Sequence, residues 1–517
     1  MKEPGLQQRG ERRIAAALRI ALVAALVVLQ VAIVVLLAYV LEQRAAIVYA
    51  GLQIVAFISA IQIYYRRGDE LYKFTWIILI LTAPVIGLIL YLLWSGESQR
   101  KRFARTQPRR AEEPESVRMR AELNADKLAR AMPGWARVMN SLRRRNFPVY
   151  QDTQVRYFPE GKLLLEDLTE QCAKAERFIF MEYFILAEGK VWDKLSAALC
   201  DRARAGVEVK VIFDDFGNIK RFRGETIEAL RAAGVEVYIF NPVHKYVNRL
   251  YFNYRDHRKI TCIDGNIAYT GGVNVADEYA NLITRFGYWK DTGIRLDGEG
   301  AWGLTASFLE MLHFVGGEEH HERDYYRPHD VGRAEGWCQP FVDGPQNNPD
   351  NPAEDVYLQL IMNAKRFLYI TTPYFIPDAA VLRALCVAGD GGVDVRLMLP
   401  DIPDHRYTDL VAESYVGELL EHDVKIYRYT PGFLHGKSVM VDREIAVVGS
   451  INMDYRSFEL HCECGVVLYG VSAIEDLLED MDGIVEKSHA VTMEEWRNRK
   501  WYRRLLGSLL RIFAIWM

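Results

Sequence analysis

HRKITCIDGNIAYTGGVN (257–274) and HGKSVMVDREIAVVGSIN (435–452) carry the same chemically distinctive residues at the same spacing. The shared polar residues are His257 and His435, Lys259 and Lys437, Asp264 and Asp442, and Asn274 and Asn452. The two members of every pair lie 178 positions apart. Agreement by chance at four such positions is improbable, so the chain contains an internal repeat whose polar residues share a function.

The repeat extends upstream of these motifs as alternating strands and helices. FIFMEYFIL (178–186) and VEVKVIF are typical of buried strands, and helical patterns lie before and between them. RFIFMEYFI (177–185) returns as RFLYITTPYFI (366–376). The pattern predicts an α/β fold in which two similar half-domains, residues 147–335 and 336–490, form one catalytic unit with pseudo-twofold symmetry.

The spacing within each motif predicts where its side chains point. Residues i and i+2 of a strand share a face, so His257 and Lys259 are expected to point the same way, as are His435 and Lys437. Asp264 has the opposite parity and begins an Asp-Gly turn. We therefore expect this carboxylate, and its counterpart in the second copy, to support the loop without touching substrate.

One imidazole, one ammonium and one carboxamide per copy suit phosphoryl chemistry. Two histidines can divide covalent catalysis, one as the nucleophile and the other as acid and then base. Lysine and asparagine supply donors that stabilise the extra charge on a phosphate in the transition state. The pairing predicts phosphodiester transfer through a phosphohistidine, with no cofactor and no metal. His461-Cys-Glu-Cys464 is more typical of ordinary strand residues than of a zinc site, because no second cysteine pair accompanies it.

HxKx₄Dx₆G[GS]xN, present twice, is the signature of the phospholipase D superfamily. Together with apolar N-terminal segments such as WIILILTAPVIGLILYLLW (76–94), it makes the chain resemble bacterial cardiolipin synthases. The resemblance implies phosphatidyl transfer between two phosphatidylglycerol molecules, giving cardiolipin and glycerol. Phosphatidylethanolamine or water as the acceptor, the latter making a membrane-bound phospholipase D, stays open.

The resemblance also implies roles for individual residues. His257 would be the nucleophile and His435 the acid and base, although exchanged roles stay open. The phosphate would be held by Lys259, Lys437, Asn274 and Asn452. An acidic residue after each motif would orient a histidine through its second ring nitrogen. The candidates for that role are Glu278 and Glu459, with Glu463 a weaker third.

Charge is distributed unevenly over the 517 residues. The net charge of −4 divides into +12 for residues 1–146, −20 for residues 147–490 and +4 for residues 491–517. An acidic body does not suit nucleic acid, whose binding depends on neutralising phosphates, whereas basic ends suit an anionic membrane surface. The seven cysteines are scattered along the chain, so no disulfide framework is indicated.

The N-terminal region predicts a membrane module over residues 1–96. Apolar stretches at about 20–41 and 45–65 are each long enough to span a bilayer, and 74–94 is predicted either to span or to be re-entrant. Lysine and arginine bias predicts a multi-pass arrangement with a cytoplasmic catalytic domain, and the resemblance implies that the membrane is the bacterial inner membrane. The module is followed by a basic linker, 97–146.

The C-terminal region, residues 491–517, is predicted to be a second membrane contact. Arginine, tryptophan and tyrosine mix in its first part, and leucine, isoleucine and phenylalanine dominate its end. Such a pattern is typical of an amphipathic helix in the headgroup region, with a helix packed on the catalytic body as the alternative. The expected partners are phosphatidylglycerol and anionic lipid, without nucleic acid, and the oligomeric state stays open.

Overall fold

The computed structural model describes residues 43–66, 70–95, 113–219, 221–242, 254–329, 331–345, 347, 350–512 and 514. The chain divides into two compact units. One contains residues 1–104 and 241–254, and the other contains residues 105–240 and 255–517. The predicted first span, 20–41, lies outside the described residues.

The first unit contains apolar helices. They are α1 (Gln43–Tyr64), α2 (Glu70–Thr82) and α3 (Pro84–Trp94). Within the described part of the chain, one helical stretch, Ile47–Tyr64, is long and apolar enough to cross a membrane. Large apolar side chains on it, such as Ile54 and Phe57, are exposed. The predicted multi-pass arrangement is therefore not supported by the described residues.

The predicted segment 74–94 forms a helical hairpin and not one continuous helix. The helices α2 and α3 meet at Ala83 and Pro84, where the backbone of Ala83 leaves the helical region. The ring centroids of Trp76 and Tyr91 lie 5.3 Å apart, and the Tyr72 hydroxyl donates to the Ser95 carbonyl over 2.5 Å. Both ends of the segment thus lie at the same end of the hairpin, so of the two predicted alternatives, spanning or re-entrant, a continuous span does not match this geometry.

The predicted basic linker is folded from residue 115 onward. It forms α4 (Glu115–Ala131) and α5 (Ala136–Arg143), which bury Leu128, Val138 and Leu142. The Trp135 indole between them donates to the Glu444 carboxylate over 2.7 Å. The prediction of a linker throughout 97–146 is therefore wrong for its second part, whose regularly spaced apolar residues pack on the catalytic body.

The first half-domain follows as an α/β sandwich. Its elements in chain order are β1 (Thr153–Phe158), α6 (Gly161–Lys174), β2 (Phe178–Tyr183), α7 (Lys190–Arg204), β3 (Glu208–Asp214), α8 (Asp215–Asn218), α9 (Gly224–Ala232), β4 (Glu236–Phe240), β5 (Arg255–Asp256), β6 (Lys259–Ile263), β7 (Ile267–Gly271), β8 (Tyr288–Lys290), β9 (Gly293–Gly298) and α10 (Ala301–Phe314). Its sheet has the order β1-β9-β7-β6-β2-β3-β4. All six residues of β2 are buried, as expected for a strand that is apolar apart from Glu182.

The second half-domain repeats this plan. Its elements are β10 (Trp337–Asp343), α11 (Pro352–Asn363), β11 (Phe367–Thr371), β12 (Phe375–Ile376), α12 (Ala379–Asp390), β13 (Asp394–Pro400), α13 (Arg406–Glu421), β14 (Lys425–Tyr429), β15 (Gly432–Leu434), β16 (Ser438–Val441), β17 (Ile445–Gly449), β18 (Met453–Asp454), β19 (His461–Tyr469), α14 (Ala473–Glu486) and β20 (Ser488–Ala490). The order β10-β19-β17-β16-β11-β13-β14 matches the first sheet strand for strand, and β20 is added at the edge. This match confirms the internal repeat.

Two short strand pairs join the halves. The first-half strand β5 pairs in parallel with β19, and the second-half strand β15 pairs in parallel with β8. Each pairing stands immediately before one motif histidine, because β5 ends at Asp256 and β15 ends at Leu434. The chain closes with α15 (Met493–Arg497) and α16 (Trp501–Arg511), of which α16 packs against α13.

Candidate active site

The two motif histidines lie at the junction of the halves. The backbone N–H of His257 donates to the Cys462 carbonyl over 2.9 Å, and that of His435 donates to the Lys290 carbonyl over 2.7 Å. Each half therefore fixes the other half's histidine through its main chain. Both imidazoles are buried, with 8% and 6% of each residue exposed.

The lysine of each motif points to the same side as its histidine, as the strand parity predicts. The Phe184 ring lies 5.0 Å from the His257 ring and 5.5 Å from the Lys259 ammonium. Each ammonium also donates to the main-chain carbonyl of the histidine two residues before it, Lys259 to His257 and Lys437 to His435. Both lysines are 1% exposed. Two buried cations thus stand beside the two imidazoles.

A carboxylate from the opposite half holds each histidine. The Nδ1 atom of His257 lies 2.9 Å from the Glu463 carboxylate, and that of His435 lies 2.5 Å from Asp291. The hydroxyls of Ser450 and Ser457 also donate to the Glu463 carboxylate. A carboxylate at Nδ1 fixes the ring and its tautomer, so Nε2 is left with the lone pair or proton that chemistry requires.

These carboxylates occupy equivalent places in the two sheets. Gly271 pairs with Gly293 and Gly449 pairs with Gly465, and each acid stands two residues before the second glycine of its pair. The residue that follows the first glycine of each pair is glycine in the first half and serine in the second, and each contacts the acid of its own half. A Cβ on Gly272 would lie 2.1 Å from Asp291 Oδ1, whereas the equivalent Ser450 donates to Glu463. The pseudo-twofold relation therefore includes the charged partners of the histidines.

Burial and the neighbouring cations favour neutral imidazoles. Burial, followed by Lys259 and Lys437, holds the pKa of His257 well below its usual range. Burial and Lys437 also lower the pKa of His435, although Asp291 opposes them. Burial raises the pKa of Asp291, but its interactions with the His435 ring and the charge of Lys437 outweigh burial and bring that pKa below its usual value. The site is thus prepared for an anion that approaches between the lysines.

Known proteins match this arrangement over most of the chain. The family model described as cardiolipin synthase, PLD-like domain, matches residues 168–283 and 357–485, and the phospholipase D-nuclease N-terminal model matches residues 51–96. The cardiolipin synthase of Halalkalibacterium halodurans is 34% identical over 446 residues, 85% of this chain and 88% of that protein. The chain belongs to the phospholipase D-like cardiolipin synthase family.

Further comparisons agree with the family. The major cardiolipin synthase of Bacillus subtilis is 33% identical over 468 residues, 88% of this chain and 96% of that protein. The crystal structure of phosphatidylserine synthase from Haemophilus influenzae superposes with a TM-score of 0.57 at 14% identity. That match covers 73% of this chain and 97% of the other. The structural likeness supports the α/β fold, and the sequence relatives support the cardiolipin synthase family.

The predicted histidine-orienting residues of this cardiolipin synthase family member need correction. Glu278 accepts from the guanidinium groups of Arg221 and Arg285, each over 2.9 Å, and Glu459 accepts from the Asn351 amide over 2.9 Å. Since Glu463 and Asp291 already occupy the Nδ1 atoms, the prediction of Glu278 and Glu459 is wrong. Glu463, the weaker candidate, was the right choice for His257, and sequence reasoning missed Asp291.

The motif aspartates support loops, as the turn position predicts. The Asp264 carboxylate accepts from the backbone N–H groups of Glu176, Arg177 and Phe178 over 2.7 to 2.9 Å. Asp442 accepts in the same way from the backbone of 365–367. Both aspartates have positive φ, 53° and 55°. Each ties the motif hairpin to the start of the adjacent central strand.

Asp264→Ala is expected to lower the free energy of unfolding by about 3 kcal/mol, because three backbone donors lose a charged acceptor. Thermal unfolding of the purified chain in detergent measures the effect. Asp201→Ala is the control, since the exposed Asp201–Arg204 pair is worth at most about 0.5 kcal/mol. An unchanged melting temperature with lost activity would instead make Asp264 a residue that touches substrate.

The two motif asparagines differ in their partners. Asn274 accepts from the Ile185 N–H over 3.1 Å and donates to the Tyr279 hydroxyl over 2.7 Å. Tyr279 in turn packs edge-on against the His435 ring, with centroids 5.5 Å apart. The Oδ1 atom of Asn452 is buried without a hydrogen-bond partner among the described residues. Phosphate binding by the asparagines stays a prediction, and Asn274 also has a structural role.

One group of side chains could offer ligands to a metal ion. Donor atoms of His257, His461 and Glu463 lie within 4.8 Å of one another. At 2.9 Å the His257–Glu463 contact has hydrogen-bond length, and a metal there would displace the proton on Nδ1. Cys462 and Cys464 alternate with His461 and Glu463 along β19 and so face the opposite side. The contacts of Glu463 thus fit the orientation of His257 better than metal ligation.

Lys437→Met is expected to abolish transfer and yet raise thermal stability at acidic and neutral pH. Burial lowers the pKa of Lys437 to about 7 from 10.5, so the unfolded chain binds this proton more tightly. The burial penalty is therefore complete below pH 7 and disappears as pH rises toward 10.5. Melting temperatures of the variant and wild type should differ most below pH 7 and converge above pH 10. A variant less stable than wild type throughout would contradict this account.

Proposed function

We propose that this chain joins two phosphatidylglycerol molecules into cardiolipin and releases glycerol, through a phosphatidyl-histidine intermediate. The crossed histidine–carboxylate pairs carry the proposal, because they orient two imidazoles from opposite halves toward one site flanked by two buried ammonium groups. The cardiolipin synthases among its sequence relatives support this substrate class. One imidazole can act as the nucleophile while the other handles protons.

In the first step, Nε2 of His257 attacks the phosphorus of the donor lipid. The low pKa of His257 keeps this nitrogen unprotonated, and Glu463 holds the proton on Nδ1. The bond between phosphorus and the headgroup glycerol oxygen breaks, and His435 protonates the departing glycerol. The negative charge of the bound phosphate favours the imidazolium form of His435 that this step needs. Lys259 and Lys437 stabilise the charge that develops on the phosphoryl oxygens.

In the second step, a headgroup hydroxyl of another phosphatidylglycerol attacks the phosphatidyl-histidine. His435, now neutral, accepts the hydroxyl proton, and the phosphorus–nitrogen bond to His257 breaks. The products are cardiolipin and the free enzyme with both histidines restored. Because the proton returned to His435 replaces the one given to glycerol, the cycle is balanced.

Incubation of the purified full chain with labelled phosphatidylglycerol tests the proposal. We expect cardiolipin and glycerol in equal amounts, and neither product from the His257→Ala variant. Phosphatidic acid and glycerol without cardiolipin would identify a hydrolase and overturn the proposed acceptor. Added phosphatidylethanolamine appearing in the product in place of the second phosphatidylglycerol would overturn it as well.

We also propose that α1 crosses the membrane and that the α2–α3 hairpin is re-entrant, with the catalytic body cytoplasmic. Exposed apolar side chains along α1, such as Ile47, Ile54 and Phe57, support lipid contact because water would disfavour them. The basic residues of 97–110 also suit an anionic cytoplasmic leaflet.

The helix α16 supplies a second proposed membrane contact. One side is fixed to α13, where the Arg503 guanidinium lies 2.9 Å from Glu413, and a Cβ on Gly507 would lie 2.7 Å from the Leu410 carbonyl oxygen. The other side exposes large apolar residues, which are Trp501, Tyr502, Leu505, Leu506 and Leu509. The helix thus packs on the body, as the alternative reading of the sequence expects, and still offers an apolar face to lipid.

The double variant Leu505→Glu with Leu509→Glu tests this contact. We expect an apparent KM for vesicle phosphatidylglycerol that is about thirtyfold higher, because each of the two leucines contributes on the order of 1 kcal/mol when the lipid covers it. Activity on a short-chain, monomeric phosphatidylglycerol should be unchanged. Leu163→Glu, an exposed leucine on α6, is the control. Equal vesicle kinetics for variant and control would overturn the contact.

A further inference from the structure

The surroundings of the two histidines differ in charge. On the His257 side lie His461 and the Arg456 guanidinium, whose Nε donates to His461 Nε2 over 3.2 Å. A further carboxylate, Asp404, lies in the loop between β13 and α13 and is connected to His435 through the rings of Tyr374 and Phe433. The catalytic steps above give Asp404 no role.

Two neighbours hold one oxygen of Asp404. The Tyr374 hydroxyl donates to Oδ2 over 2.5 Å, and Nδ1 of His405 lies 2.9 Å from the same oxygen. The other oxygen, Oδ1, is buried and has no hydrogen-bond partner among the described residues. A buried carboxylate oxygen without a donor costs free energy, so a donor that reached this atom would be stabilising.

Contacts and electrostatics connect this carboxylate to the acid–base histidine. The Tyr374 ring lies 6.5 Å from Phe433, whose ring lies 5.5 Å from His435. Burial raises the pKa of Asp404, but hydrogen bonds from His405 and Tyr374 outweigh burial and bring that pKa below its usual value. The charge of His435 adds a smaller effect in the same direction. Asp404 in turn is among the groups that oppose the lowering of the Lys437 pKa by burial. The rings of Tyr374 and Phe433 thus connect Asp404 to His435, the histidine that exchanges protons.

The chemistry of Asp404 selects its ligand. A carboxylate repels phosphate, so it does not suit the transferred group. The group beside His435 is the glycerol headgroup, first as the leaving group and then as the acceptor. Glycerol attached at one end carries two hydroxyls, of which one reacts and the other is available as a donor. A hydroxyl matches Oδ1 without adding charge to a site that already holds two lysines.

We propose that Asp404, positioned by Tyr374, accepts a hydrogen bond from the non-reacting hydroxyl of the glycerol headgroup and thereby favours phosphatidylglycerol over water as the acceptor. This inference rests on the proposed function. An acceptor without a second hydroxyl leaves Oδ1 unpaired, which is the condition under which a polar site discriminates most strongly.

Competition between acceptors tests the assignment. The purified full chain receives labelled phosphatidylglycerol with added glycerol, propan-1-ol or ethanolamine, and the phosphatidyl products are separated. For Asp404→Ala we expect the ratio of cardiolipin to phosphatidic acid to fall about tenfold, and the preference for glycerol over propan-1-ol to fall by a similar factor. Tyr374→Phe, which keeps the carboxylate but loses its donor, should show a smaller change of about threefold.

Two further measurements separate binding from folding. Asp404→Ala should still release p-nitrophenol in one burst from phosphatidyl-p-nitrophenol, because that substrate has no glycerol headgroup. Asp401→Asn, an exposed carboxylate of the same loop, should keep the wild-type product ratio. The assignment would be overturned if Asp404→Ala kept the wild-type acceptor ratios or lost the p-nitrophenol burst. It would also be overturned if the variant lost transfer to ethanolamine alone. Absence of cardiolipin from the wild type would instead overturn the proposed function.

Discussion

Replacement of His257 by alanine is expected to eliminate cardiolipin formation, with any residual rate at least about 10⁴-fold below wild type. The same loss is expected for His435→Ala with natural phosphatidylglycerol, because glycerol is a poor leaving group without a proton. Product formation from labelled lipid measures both losses. Full activity in a variant of either histidine would rule out the phosphohistidine mechanism.

An activated substrate distinguishes the two histidines. Phosphatidyl-p-nitrophenol loses p-nitrophenolate without protonation, so its first step needs the nucleophile but not the acid. We therefore expect His435→Ala to release one equivalent of p-nitrophenol per enzyme and to accumulate a phosphatidyl-histidine at His257. His257→Ala should give no burst. Mass spectrometry of the trapped chain locates the modified residue.

The opposite pattern would exchange the roles. A burst from His257→Ala with modification of His435 would make His435 the nucleophile. The electrostatic surroundings favour the proposed assignment, because burial and cationic neighbours hold the pKa of His257 well below its usual range, whereas Asp291 opposes the lowering of the His435 pKa by burial and Lys437. An imidazole near negative charge holds a proton more readily and is better suited to act as an acid.

Local signals allowed much of the fold to be predicted from the sequence. Strand β2 is apolar apart from Glu182, and the turn after β6 carries the Asp264-Gly265 pair typical of hairpin turns, so both follow from short-range patterns. Because the sequence repeats, the fold predicted for the first half-domain also applied to the second. The second part of the linker was mispredicted because its many arginines indicated solvent, although Leu128, Val138 and Leu142 are buried at helical spacing.

The orienting carboxylates were harder to predict because the pairing is made across the halves. The available signal was a second repeat, DTGIRLDG (291–298) and ECGVVLYG (463–470), in which an acid stands two residues before glycine. Its members lie 172 positions apart, not 178, so the offset of the motifs did not reveal it. The histidine that each acid binds depends on the β5–β19 and β8–β15 pairings, which no local pattern encodes.

Asp291→Asn and Glu463→Gln are expected to lower kcat by about 10²- to 10⁴-fold with little change in KM, because an amide holds the wrong imidazole tautomer and stabilises no imidazolium. The crossed geometry makes the two losses qualitatively different. Glu463→Gln impairs the nucleophile, so it should slow the burst from phosphatidyl-p-nitrophenol. Asp291→Asn impairs the acid and base, so it should retain the burst and slow the turnover that follows.

Glu278→Gln is the matched control, because Glu278 is a buried carboxylate of the first half that pairs with Arg221 and Arg285 away from both Nδ1 atoms. Its burst and turnover should stay within about twofold of wild type once stability is matched. The double variant His257→Ala with Glu463→Gln should be no slower than His257→Ala, since Glu463 acts only through that imidazole. Additive losses in the double variant would contradict the crossed pairing, because Glu463 would then act other than through His257. A burst lost in Asp291→Asn and kept in Glu463→Gln would also contradict it, because each carboxylate would then serve a histidine other than the one it contacts.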